Sequence, residues 1–264
     1  MSLSLAVNLV IVVPAGYPGR RTAKTRAIEL NSSQLEDKSR DHDRVLAIMA
    51  KAPRAGHVKT RLASVYPSAL VVQLYRAFIE DTIALARAVG VSIAVVCPAG
   101  DAEEISALLP SDVRVVSQVG QGLADGLASA FELLCEPPCR VIALNGDSPH
   151  LPPTVLESAF AALADHDLVL GPCEDGGFYL VGATRAHAGL FDPLAMGTGS
   201  ALDALIAQTR RLGLSSTVTA EHYDVDVPAD LARLARELLL RPERAPRTAA
   251  LLARWPSAPS PVRA

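Results

Sequence analysis

The feature that most constrains this chain is an alternation. From residue 45 to about residue 240, short runs rich in Val, Ile and Leu take turns with longer stretches whose apolar residues recur at helical spacing. "VLAIMA" (45–50), "VSIAVVC" (91–97), "VRVVS" (113–117) and "RVIALNGD" (140–147) read as strands with little polar alternation. Strands of that kind sit inside a mainly parallel sheet, with helices over both faces. Residues 68–89, 122–134, 153–165 and 200–213 carry the helical period. Asp101 stands where an N-cap would open a further short helix, and Pro153 and Pro228 stand where Pro prefers to begin one. "DLVLGP" and "GFYLVGA" flank the turn "CEDGG" and predict a local antiparallel pair, while "HYDVDV" predicts a short last strand. The expected fold class is α/β, a single domain with a mainly parallel mixed sheet and helices on both faces.

Both ends differ from this core. Residues 1–43 run from an apolar stretch through the basic "GYPGRRTAKTR" to the polar "NSSQLEDKSRDHDR", and are expected to form an N-terminal extension and linker. "VVPAGYPGRRTAKTR" echoes "IMAKAPRAGHVKTR", but no amphipathic helix follows the first copy, so the echo reads as chance. Residues 241–264 are expected to be a C-terminal tail with a short helix near 245–254. No apolar run approaches the ~20 residues of a membrane helix, and the opening stretch has no basic region ahead of it, so no secretory leader is expected. Cys97, Cys135, Cys139 and Cys173 lack the spacing of a zinc site and read as reduced thiols of a cytoplasmic protein.

The formal net charge of −3 gives no reason to expect nucleic acid or an anionic membrane as partner. Against that background "AKAPRAGHVKTRL" (50–62) stands out, with Lys51, Arg54, Lys59 and Arg61 and no acid. It points to a small anionic ligand. Lys59 and Arg61 are two residues apart, so both would face one side of an extended segment. A lysine point charge and an arginine fork both suit phosphate oxygens, and Gly56 lets the backbone approach a ligand. The loop is not a G-x-x-x-x-G-K-[ST] phosphate loop.

Ligands of open α/β sheets bind beyond the carboxyl ends of the strands, and the acids Asp147, Asp175, Asp224 and Asp226 fall at such places. Asp147 and Asp226, from separate strand ends, suit a hard cation, Mg²⁺ (or Mn²⁺), which takes one or two carboxylates plus phosphate oxygens. A transition-metal site using His150 and His222 fits less well. Three of these acids also have a plain structural role open to them: Asp147 can cap its turn, Asp226 the helix opened by Pro228, and Asp175 the turn "EDGG". The glycines Gly176 and Gly177 would leave backbone N–H groups facing a substrate. Gly122, in "GQGLADGLASAF", opens a helix whose N-terminus can receive a base, ribose or phosphate.

Taken in order, "AKAPRAGHVKTRL", "LNGDSPHLP", "LGPCEDGGFYLVG" and "YDVDVPADL" resemble a bacterial family of nucleotide-diphospho-sugar-transferase-like proteins, usually described as candidate glycosyltransferases and related to phospholactate guanylyltransferases. The resemblance spans about residues 44 to 240. It implies a GT-A/Rossmann-like fold. It also implies that Lys51, Lys59 and Arg61 form the phosphate-facing loop, that Asp147 and Asp226 are metal-ligand acids, and that Asp175, Gly176 and Gly177 belong to a substrate loop. Two segments depart from the pattern. Met196-Gly197-Thr198 stands where the family often has Trp-Ser-Thr, and Gly122-Leu123-Ala124-Asp125 where it often has Gly-Asp-Leu-Gly.

The implied activity is metal-dependent transfer of a glycosyl or nucleotidyl group from a nucleotide or nucleotide sugar to a small acceptor. In nucleotidyl transfer an acceptor phosphate attacks the α-phosphorus and pyrophosphate leaves, with Lys59 and Arg61 on the leaving group. In glycosyl transfer a carboxylate such as Asp175 would activate an acceptor hydroxyl. A protein that keeps the fold and binds nucleotide without turnover is the alternative.

Overall fold

The computed structural model describes residues 43–136, 138–192 and 200–256. The echo in residues 1–42, the Met196-Gly197-Thr198 departure and residues 257–264 lie outside the described residues. The strands among the described residues are β1 (Arg44–Met49), β2 (Ser92–Cys97), β3 (Arg114–Ser117), β4 (Arg140–Asn145), β5 (Leu168–Pro172), β6 (Phe178–Ala183) and β7 (Ser216–Val218). The helices among the described residues are α1 (Thr60–Ala63), α2 (Ser68–Val89), α3 (Ala102–Leu108), α4 (Gly122–Leu134), α5 (Pro153–Ala162), α6 (Ala201–Arg211), α7 (Pro228–Leu240) and α8 (Pro246–Leu252).

The strands form one sheet in the order β3-β2-β1-β4-β6-β5-β7. β1 is parallel to both β2 and β4, β2 to β3, and β5 to β7. β6 is antiparallel to β4 and β5, so it alone runs against the rest. This is the mixed, mainly parallel sheet that the alternation predicted, with the antiparallel pair where the "CEDGG" turn placed it.

Side chains alternate across the sheet. Leu46 and Ile48 of β1 pack with Ile79 and Ile83 of α2 and with Leu156 and Phe160 of α5. Ala47 lies in the opposite layer with Leu127 and Phe131 of α4 and Leu205 of α6. A third apolar cluster explains the length of α2. Its Val71, Leu74 and Phe78 face away from the sheet, against Leu231, Leu234 and Leu238 of α7.

Two local expectations fail. "HYDVDV" is not a strand: beyond one isolated bridge between His222 and Cys173, its backbone bonds sideways. Val225 N–H donates to the Asp147 carbonyl at 3.0 Å, and the Ser148 hydroxyl donates to the Tyr223 carbonyl at 3.1 Å. The last strand is instead "STV" at 216–218, a half-exposed edge strand without an apolar run to reveal it. The segment holding Lys59 and Arg61 is also not extended, because Arg61 lies in the four-residue helix α1.

Residues 241–256, expected as a tail, pack on the outer side of α2. Ala245 is buried, and Trp255 meets Tyr66 edge-on at 5.2 Å between ring centres. The Asp81 carboxylate, buried on α2, accepts the N–H groups of Arg247 and Thr248 at 3.1 and 2.8 Å. It therefore satisfies the open N-terminus of α8 from another helix. No helix among the described residues is long and apolar enough to cross a membrane.

An acceptor removed from a buried N–H costs about 1–3 kcal/mol. Asp81→Ala should thus lower unfolding stability by about 2–4 kcal/mol, read as a reduced urea midpoint at constant slope.

Candidate active site

The chain leaves β1 for β2 on one side and returns to β4 on the other, so the sheet order switches between β1 and β4. Loops diverge at such a point and leave a crevice beyond the carboxyl ends of the strands. A cavity of about 570 Å³ opens there, lined among others by Lys51, Lys59, Arg61, Gly122, Asp147 and Asp226. Six of the sequence-selected residues thus come together. Gly56 does not line the cavity; it sits in the exposed turn of the same loop with φ 77°. Asp175, Gly176 and Gly177 lie in the β5–β6 turn, also outside the lining.

The basic loop is fixed from beneath. Lys51 N–H donates to the Tyr75 hydroxyl at 3.0 Å, and Ala52 N–H to the Asp101 carboxylate at 2.9 Å. Arg54 is committed to Asp101 and Glu104, at 2.8 and 2.6 Å. Asp101 occupies the N-cap position of α3, yet makes no cap bond there. It anchors the loop instead.

Lys59 is the centre of the site. Its ammonium lies 2.7 Å from Asp147 and 2.8 Å from Asp226, and its side chain is only 4% exposed. Burial alone would push its pKa down, but the two carboxylates outweigh burial and hold it above the ordinary lysine value. Spacing predicted Lys59 beside Arg61 on one side of an extended segment. The fold buries it, because Lys59 takes a left-handed backbone (φ 46°, ψ 45°) at the cap of α1 and its chain turns inward. Arg61 remains 71% exposed and reaches Asp226 only at 3.7 Å.

The two acids are not used up by local structure. Asp226 does not cap α7; the Asp230 carboxylate does that, accepting the N–H groups of Asp226 and Val227 at 3.0 and 2.9 Å. The Asp147 carboxylate pairs with Lys59. Because both carboxylates touch one ammonium, they are no further apart than those two contacts end to end.

Asp224, noted in the sequence but not selected for the site, is the acid most disturbed by its surroundings. Its carboxyl is pushed up to about 6 by burial first, then by Asp226 and Asp175. Ligand atoms of Cys173, Asp175 and Asp224 lie within 4.8 Å of one another. Burial and these acids push the Cys173 thiol well above its ordinary value, so it stays protonated. Asp147 and Asp226 thus pair with the buried ammonium, and Asp224, which feels both Asp226 and Asp175, lies close by. Carboxylate oxygens gathered in this way fit a hard divalent cation.

Other expected contacts are spent internally. Gly176 (φ 84°) needs its glycine for the turn. Its N–H donates to the Cys173 carbonyl at 3.0 Å, and Gly177 N–H donates to Asp175 Oδ1 at 2.9 Å. Both N–H groups thus have partners within the turn. At the start of α4, Gln121 N–H already donates to the Asp125 carboxylate at 2.7 Å. His150 is buried against the Tyr223 ring, 4.3 Å between centres. Burial, helped by His222, Arg233 and Arg244, pushes it down to about 3, so it is neutral. Tyr75 and Gln118 line the cavity and were not foreseen. Tyr75 reads as one more core aromatic on α2, and Gln118 as a polar residue just past β3.

These features define a class: an α/β domain with a cationic crevice at the switch point of its sheet. The profile of a family described as "Uncharacterized protein conserved in bacteria (DUF2064)" matches residues 82–198. Among solved structures, the chain is similar to a candidate nucleotide-diphospho-sugar transferase from Desulfovibrio desulfuricans G20. That protein is 27% identical over 80% of this chain and 94% of its own, with a TM-score of 0.74. The resemblance carried by the sequence motifs therefore holds at the level of the fold. More distant are Rv0371c of Mycobacterium tuberculosis H37Rv (18% identity, 73% and 97% covered, TM-score 0.49) and a nucleotidyl transferase of Methanothermobacter thermautotroptrophicus, Mth528 (20% identity, 75% and 98% covered, TM-score 0.49). No curated protein matches the sequence.

A carboxyl raised to about 6 keeps its proton in the folded protein between about pH 4 and 6, while the unfolded chain releases it. Asp224 therefore adds nothing to unfolding stability below pH 4 and lowers it increasingly up to pH 6. Asp224→Asn should raise stability in chelator at pH 7.5 by about 1–2 kcal/mol after solvent screening, and leave it unchanged at pH 3.5. Thermal unfolding at the two pH values checks this.

Proposed function

We propose that this protein is a metal-dependent transferase of the nucleotide-diphospho-sugar transferase superfamily, which binds a nucleoside di- or triphosphate compound and moves a glycosyl or nucleotidyl group to a small acceptor. The observation that carries this reading is the Asp147–Lys59–Asp226 arrangement in a cavity of about 570 Å³ at the sheet's switch point, with Lys51 and Arg61 on the same wall. A cavity of that size takes a nucleotide. The similarity to the Desulfovibrio desulfuricans protein supports it.

In this reading Lys51 and Arg61 bind phosphate oxygens, and Met49, Val96, Pro98 and Leu123 give the cavity apolar surface for a base or sugar. Mg²⁺ (or Mn²⁺), when bound, would neutralise phosphate charge, with Asp147 and Asp226 as its carboxylates. Lys59 holds the acids together in the ligand-free protein and supplies a second positive charge near the reacting phosphates. Catalysis of this kind is positioning and electrostatics.

One observation favours nucleotidyl over glycosyl transfer. A glycosyl acceptor hydroxyl wants a general base, yet Asp175 lies outside the cavity and accepts a bond from Gly177. An acceptor phosphate is already ionised near pH 7 and needs none. The reading places the protein in the cytoplasm, with residues 1–43 outside the catalytic unit.

The test is a thermal-shift screen of nucleoside triphosphates and nucleotide sugars with Mg²⁺, followed by product analysis. Pyrophosphate release from a triphosphate supports nucleotidyl transfer, and nucleoside diphosphate release from a nucleotide sugar supports glycosyl transfer. A shift without either product means binding alone, and no shift with any nucleotide refutes the proposal. Arg61→Ala should weaken nucleotide binding by about 1.5–3 kcal/mol, roughly 10- to 150-fold. Its melting temperature should stay within about 2 °C, since an exposed ion pair is worth about 0–1 kcal/mol. Calorimetric titration and thermal unfolding of the same variant read both.

A further inference from the structure

The Asp147–Asp226 pair is already occupied. The Lys59 ammonium sits 2.7 and 2.8 Å from one oxygen of each, with its side chain buried. A divalent cation bound by the same two oxygens would stand about 2.1 Å from each. Those positions overlap, or else leave two cations a few ångströms apart, a repulsion that the partly exposed carboxylates weaken without removing. Both cannot be held well at once.

We propose that Lys59 and the divalent cation are alternative occupants of the Asp147–Asp226 pair. In the ligand-free protein the ammonium fills it, and the cation enters as the ammonium swings into the cavity. The inference rests on the reading of that cavity as a phosphate site, because phosphate oxygens are what would receive the displaced charge. Three features fit the exchange. Lys59 is the one non-glycine residue with positive φ among the described residues, and a lysine takes that backbone at an energetic cost which a shift would relieve. It stands at the cap of a helix only four residues long, a small unit to move. Arg61, 3.7 Å from Asp226, leaves that acid a partner after the lysine departs.

The exchange makes cation and polyphosphate cooperative. Phosphate draws the ammonium away and frees the acids, and by linkage the cation raises phosphate affinity equally. Without phosphate, Lys59 keeps the cation affinity low.

Mn²⁺ binding without nucleotide, followed by electron paramagnetic resonance on the whole protein, tests this. Lys59→Met should bind Mn²⁺ at least 10-fold more tightly than the unchanged protein. Equal or weaker affinity overturns the proposal. That includes the case in which both proteins bind Mn²⁺ alike, as a site at Cys173, Asp175 and Asp224 would produce, and the case in which neither binds it. Removing the ammonium also leaves two acids facing each other and can cost folding, so a second measurement uses the unchanged protein. Acetylation of Lys59 by an amine-reactive reagent, read by peptide mass spectrometry, should be slow in chelator and several-fold faster with saturating Mn²⁺. Unchanged protection with Mn²⁺ bound overturns it. Nucleotide binding without this competition sinks the exchange alone, whereas competition without any nucleotide binding sinks the proposed function.

Discussion

β1 is paired along its length with β2 on one side and β4 on the other, and both pairings are parallel. Parallel neighbours cannot be joined by tight turns, so each connection must cross a face of the sheet. Those crossings carry the helices that bury both faces. They also force the loops after β1 and β4 apart at one end, and this opens the crevice. The basic loop and Asp147 face each other because they leave adjacent strands at that end.

The electrostatics of the crevice follow from its burial. A lysine side chain only 4% exposed would carry its charge at a cost alone, and two carboxylates at salt-bridge distance offset that cost. The carboxylates come from elements far apart in sequence, so the same contact ties the 223–226 segment to the loops after β1 and β4. That segment has no strand of its own to hold it. Backbone bonds to Asp147 and Ser148 and the stack of His150 on Tyr223 do so instead. Burial beside Lys59 and its two acids also raises the carboxyl of Asp224, with Asp226 and Asp175 adding to the effect.

Much of the fold was legible. Helices at 68–89 and 122–134 end where their apolar period ends, because each buries a stripe against the sheet and the first buries a second against α7. The failures share a cause. "HYDVDV" carries a strand-like pattern, but its hydrogen bonds go to loops, while "STV" carries no pattern and pairs with β5 all the same. Local sequence records which residues avoid water, and an edge strand has little to avoid. In the site, residue types were readable and conformations were not. Lys59 and Arg61 looked alike by spacing, yet a left-handed turn at Lys59 separates a buried charge from an exposed one.

By itself, then, the sequence determined the α/β alternation, the parallel core and the chemistry on offer: four basic side chains after the first strand and acids after later ones. Those choices are local, set by hydrophobic period and residue type. Tertiary structure decided the assignments. It gave Arg54 to Asp101 and Glu104, Asp81 to the end of α8, and Lys59 to Asp147 and Asp226. A charge finds its partner only when distant segments meet, and the order of strands in the sheet, absent from any local pattern, sets which segments those are.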